Sequence, residues 1–163
     1  MEDTADIVSL GTLKTNSMRH LVTFIFCLLL LGLHGQEGAL KKMDSKSDQY
    51  EKIALQIWDW AEMGYKEVQS SALLQKTLAD AGFSIQKGVA GIPTAFIAEY
   101  GSGSPVIGVL GEFDALPGLS QKAIPQKESA GGVAGHACGH HLFGTASAAA
   151  AIAAKDWLES GGH

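Results

Sequence analysis

Hydrophobic positions fall into several distinct patterns along the chain. The first is a strongly apolar, uncharged run from Leu21 to Leu33. As a helix it would be about 20 Å long, short of the roughly 30 Å hydrocarbon core of a bilayer. Arg19 and His20 precede the run and Gly35 follows it closely. A basic start, a short apolar stretch and a small residue behind it mark a secretory signal peptide, so export to the periplasm or cell exterior is expected. On this reading Met18 is a natural start and residues 1–17 are an upstream extension. An uncleaved membrane anchor is the alternative. Residues 1–36 thus read as extension plus signal peptide or anchor, and the polar, lysine-rich residues 37–48 as a linker.

A helical period follows. Ser45, Ser47 or Asp48 is placed to cap a helix with Ile53, Ile57, Trp60 and Ala61 on one face, and Gly64 is placed to end it. Residues 69–81 predict a second helix with Leu73, Leu74, Thr77 and Leu78 inward and Gly82 as its stop. The period then shortens to that of strands: 83–87, 94–100 after Gly91-Ile92-Pro93, and 105–110 after the turn Gly101-Ser102-Gly103-Ser104. Residues 105–110 are apolar on both faces, as in a strand covered by helices on either side. A long Gly-, Pro- and Ala-rich loop spans 112–137, a length that in compact domains usually marks function or disorder. A last helix is expected over 139–158, through the small residues Ala146-Ser147-Ala148-Ala149-Ala150-Ala151, which allow close packing on a sheet. The fold class is α/β: two helices leading into a sheet, then a long helix crossing behind it.

Composition narrows the partners. The 163 residues carry a formal charge of −5, which offers no basic surface to nucleic acid. There are two cysteines, Cys27 and Cys138, and the first lies in the apolar run. If that run is removed, one thiol remains and no internal disulfide can form.

That thiol lies in the sharpest chemical feature of the chain. Gly135-His136-Ala137-Cys138-Gly139-His140-His141 puts three histidines and a cysteine at the junction of a glycine-rich loop and a helix. Thiolate and imidazole suit zinc and similar divalent ions, and a helix N-terminus favours the thiolate. Taken alone, the cluster also fits loop histidines beside a small buried cysteine. The second feature is Gly111-Glu112-Phe113-Asp114-Ala115-Leu116-Pro117-Gly118, directly after the apolar strand candidate. Ligands of open α/β sheets gather at the carboxyl ends of strands, and a carboxylate there can orient a metal-bound histidine. A solvated acidic turn is the alternative.

Together the two segments resemble the amidohydrolase branch of the co-catalytic metallopeptidases, which includes hippurate hydrolase and plant auxin-conjugate hydrolases. The similarity runs from about Ile53 to Leu158 and is supported by residues 57–62 (Ile-Trp-Asp-Trp-Ala-Glu) and 88–96 (Gly-Val-Ala-Gly-Ile-Pro-Thr-Ala-Phe). It implies that residues 49–163 form the N-terminal portion of a zinc-peptidase-like catalytic domain with an incomplete sheet. It implies that Cys138 and His140 are metal ligands, that Cys138 can bridge two divalent ions (zinc or manganese), and that Asp114 is the carboxylate supporting the site. Glu112 stands where more distant relatives have a metal-binding histidine. His141 departs from the Asp or Asn that usually follows Cys-Gly-His. The implied substrate is an N-acyl or aminobenzoyl amino acid, and the implied assembly is a homo- or hetero-oligomer. The family's general base, a Glu in a Glu-Glu pair, and its further ligands have no counterpart in these residues, so the chain alone is not expected to turn over substrate.

Overall fold

The computed structural model describes residues 35–161 together with 19–20 and 22–24. The chain divides into two units, Met1–Leu40 and Lys41–His163. Most of the run read as a signal peptide, Leu21 and residues 25–33, lies outside the described residues. Among the described residues no helix is long and apolar enough to cross a membrane.

The polar stretch after the apolar run is helical rather than extended. Helix α1 spans Gly35–Asp44. Its Glu, Ala, Leu, Lys and Met residues are good helix formers, and Lys41 and Lys42 in the last turn face the negative end of the helix dipole. Helix α2 (Ser47–Trp60) follows, and its N-terminus has no side-chain cap. The expected cap Ser45 instead turns its hydroxyl back to the Lys42 carbonyl, 2.7 Å away, and serves the end of α1.

Helix α2 buries Ile53, Ala54 and Ile57. It ends before Gly64, at Ala61, whose backbone is left-handed (φ 43°) and whose N–H closes on the Ile57 carbonyl. Two residues of extended chain then pair with a distant segment: the Ala115 N–H donates to the Glu62 carbonyl at 2.7 Å, and Met63 bridges Ala115 in parallel. Helix α3 (Val68–Asp80) buries Ser70, Ser71, Leu74, Gln75 and Leu78. Its inward face is thus turned from the one expected, with Leu73 and Thr77 at the margin. Two hydrogen bonds explain the turn. The Ser71 hydroxyl donates to the Thr94 carbonyl at 2.6 Å, and the Ser70 hydroxyl to the Glu62 carboxylate at 2.8 Å, so a polar stripe is buried with its partners.

Strands β1 (Ser84–Lys87) and β2 (Phe96–Glu99) form an antiparallel pair with Ile85 opposite Ala98, close to expectation. The strand expected over 105–110 does not form. That segment has no ladder partner among the described residues, and Val106 (89% exposed) and Ile107 (83%) stand in solvent. The long loop is pinned at both ends by a second small antiparallel pair, β3 (Leu116–Pro117) with β4 (Ala134–Gly135). Their approach is so close that a Cβ at Gly135 would lie 2.3 Å from the Leu119 carbonyl oxygen.

Helix α4 (His140–Glu159) closes the unit. The core joins Ile53 and Ile57 of α2, Leu74 and Leu78 of α3, and Ala148 and Ile152 of α4. Each large side chain buried there contributes about 1.5–3 kcal/mol. The architecture is a mixed helical and small-sheet α/β fragment with a long last helix, as the hydrophobic pattern predicts in outline.

Candidate metal centre

The site grows from the contact between α4 and the chain that enters the long loop. Two glycines and a serine set the distance. A Cβ at Gly144 would lie 2.9 Å from the Glu112 carbonyl oxygen, and one at Gly111 would lie 3.0 Å from Ser147 Cβ. The Ser147 hydroxyl donates to the Leu110 carbonyl at 2.6 Å. Residues 110–113 therefore lie directly on the face of α4 that carries Gly144. His140 is one turn earlier on that face, because residues four apart stack along a helix. On the other strand-like segment Phe113 turns inward against the core, and Glu112 and Asp114, at alternate positions, turn toward His140.

His140 is held by both carboxylates. Its Nδ1 is 2.7 Å from Asp114 Oδ1, and its Nε2 is 3.1 Å from Glu112 Oε2. The short bond to Asp114 fixes the ring, with Nδ1–H as donor. Nε2 faces a carboxylate oxygen of Glu112, an arrangement that calls for an electropositive group between the two atoms. A proton satisfies it, and so does a divalent cation. Two atoms each 2.0–2.2 Å from a zinc ion, at right or tetrahedral angles, stand roughly 2.8–3.6 Å apart, and the observed 3.1 Å falls in that range. Glu112, Asp114 and His140 offer ligand atoms all within 4.8 Å of one another, so the residues present fit a divalent ion.

The other residues of the motif go elsewhere. Cys138 is free and exposed and is not one of the three residues of this group. Gly139 (φ 77°) turns the chain sharply between Cys138 and His140. His136 is buried, with Nε2 on the Ile57 carbonyl at 3.0 Å, and its ring lies 5.0 Å from that of His141. Nδ1 of each is buried without a hydrogen-bond partner. Burial pushes both imidazoles below their ordinary pKa, and the neighbouring His140 and His136 act on them in the same direction. Both are neutral at neutral pH.

The structure thus brings Asp114 and His140 together, adds Glu112 to them, and places Cys138 in solvent and His136 in the fold behind. Sequence reasoning misses Glu62. Its carboxylate accepts the Gln69 and Ser70 N–H groups at 3.0 and 2.8 Å, while its carbonyl holds Ala115 beside Asp114. The signal available was a lone Glu just past a helix and six residues before the next.

No family model matches the chain. Among characterised proteins, it is 49% identical over 123 residues to a subunit of the p-aminobenzoyl-glutamate hydrolase of Escherichia coli K12, covering 74% of this chain and 26% of that protein. It is 33% identical over 91 residues to thermostable carboxypeptidase 1 of Saccharolobus solfataricus, covering 55% and 23%. It is 29% identical over 133 residues to the Xaa-Arg dipeptidase of Mus musculus, covering 75% and 27%. The chain spans about a quarter of the length of these relatives.

Proposed function

Because this chain belongs to the amidohydrolase/metallopeptidase family, we propose that it supplies part of the metal centre of an enzyme that hydrolyses an amide bond in aminobenzoyl or N-acyl amino acids. The observation that carries this reading is His140 fixed by Asp114 and facing Glu112, on segments shared with the metallopeptidase motif. His140 Nε2 and Glu112 would hold a divalent ion, zinc or manganese, with Asp114 orienting the imidazole. Such an ion supplies Lewis-acid polarisation of the amide carbonyl and a water of lowered pKa. The residues' own part is to fix the imidazole with Nε2 toward the ion and to present two carboxylates at the rim.

Cys138 is proposed as a further ligand through rotation of its exposed side chain, and a second ion follows from the same reading. Two ions need more ligands than these, and the sequence contains no adjacent glutamate pair to serve as general base. Turnover by the 163 residues alone is therefore not expected. The Escherichia coli relative is named as one subunit of its hydrolase, which supports an assembly of more than one chain. Export is proposed on the apolar run behind Arg19 and His20.

The test is incubation of the native protein carrying this chain with p-aminobenzoyl-glutamate and a panel of N-acyl amino acids, with zinc or manganese. The expected result is metal-dependent release of the amino acid, and release that persists after full chelation contradicts the reading. The exposed Cys138 and the three-residue group favour a second reading, a metal-binding protein without turnover. Metal binding with no hydrolysis of any substrate decides for it.

A further inference from the structure

We infer that His136 is a positioning residue for this centre, clasping the loop that bears Cys138 and leads into His140 to the same helix end that holds Ala115, next to Asp114. The inference rests on the metal-centre reading above.

His136 is only 8% exposed, and its Nε2 lies 3.0 Å from the Ile57 carbonyl oxygen, 79 residues away in sequence. A carbonyl can only accept, so the proton sits on Nε2 and the buried Nδ1 has no partner. An orphaned buried nitrogen is costly, and a leucine of similar size would fill the space without it. What the imidazole adds over leucine is the bond to Ile57.

The Ile57 carbonyl belongs to the last turn of α2 and also takes the Ala61 N–H at 3.1 Å. Just beyond, the Glu62 carbonyl takes the Ala115 N–H at 2.7 Å, and Met63 bridges the same residue. One helix end therefore grips both halves of the centre, the acidic half through Ala115 and the histidine half through His136. On the loop side the His136 carbonyl accepts the Gly139 N–H at 3.0 Å, in the turn from which α4 and His140 start. Releasing the imidazole frees that turn, and with it the direction of His140 toward Glu112.

The test compares His136→Leu, which keeps volume and removes the donor, with His136→Gln, whose amide N–H reaches the place of Nε2–H. For each full chain, the zinc dissociation constant is measured by competition with a chromophoric chelator, well below the melting temperature found by circular dichroism. His136→Leu is expected to weaken zinc binding about tenfold or more, the usual effect of losing a group that supports a metal ligand. His136→Gln is expected to restore most of the affinity. A merely structural role would lower the melting temperature of the leucine variant and leave its zinc affinity unchanged, which overturns the inference. A glutamine variant that folds as the wild type does yet binds zinc poorly overturns it as well, and decides the matter even if the leucine variant fails to fold. A wild-type chain that binds no zinc defeats the metal-centre reading itself, a result distinct from equal binding by wild type and variants.

Discussion

A methyl group added at Gly144 would stand 2.9 Å from the Glu112 carbonyl oxygen, 3.0 Å from Phe113 Cβ and 3.2 Å from Leu74 Cδ1. Alanine is the better helix former by about 1 kcal/mol, but overpacking against backbone costs about 1–3 kcal/mol. The backbone oxygen cannot rotate away, so the clash wins. Gly144→Ala is expected to lower stability by about 1 kcal/mol in urea denaturation and to weaken zinc binding, because Glu112 moves with its carbonyl. A stability gain would show that residues 110–113 do not rest on α4. Asp114→Asn keeps an acceptor for His140 Nδ1 and removes the charge, so zinc affinity measured by titration should fall by about tenfold to a hundredfold. Both Asp114 and His140 were legible in the sequence, since each sits in a motif whose residue types suit a metal. Glu112 was legible only as a carboxylate two positions from Asp114. That it faces Nε2 depends on Phe113 turning inward, which is set by packing. Gly144 was not legible, because a glycine inside a helix reads as a weak helix former until something is seen against it.

The end of α2 is decided by what comes after it. Gly64 is the natural stop by composition, yet the helix closes at Ala61 because the Glu62 backbone pairs with Ala115 and its side chain caps α3. Burial works against the Glu62 charge, but the Gln69 and Ser70 N–H groups and the Ser70 hydroxyl outweigh it and hold the carboxyl below its ordinary pKa. A depressed carboxylate stabilises the fold fully above its unfolded pKa, about 4.3, and that contribution is lost as pH falls through the lower folded value. Glu62→Gln should therefore lower the melting temperature at pH near 7 by the equivalent of about 0.5–2 kcal/mol, as for a lost helix cap. Well below both pKa values the variant and the wild type should melt alike. A difference that persists in acid would show that the charge is not the cause. Helices α2, α3 and α4 and the β1–β2 pair were legible because local period and turn residues specify them, whereas α1 lies largely in the stretch read as a linker. The strand over 105–110 was not realised, because a strand needs a neighbour and its apolar pattern cannot say which segment that is.

At the scale of the whole molecule, Val106, Ile107, Val109 and Leu110 form an exposed apolar run with no ladder partner among the described residues. Exposed apolar strand-like segments promote association. The 163-residue chain is thus expected to self-associate with rising concentration in light scattering, and Val106→Lys with Ile107→Lys is expected to suppress it. Equal scattering by both chains would place the sticky surface elsewhere. The account depends most on a divalent ion between His140 and Glu112, and anomalous diffraction at the zinc edge from zinc-soaked crystals tests this directly. The predicted result is a peak about 2.0–2.2 Å from His140 Nε2 and from a Glu112 oxygen, with Asp114 still bonded to Nδ1. A zinc peak away from these residues, or none with Nε2 still against Glu112, would contradict it.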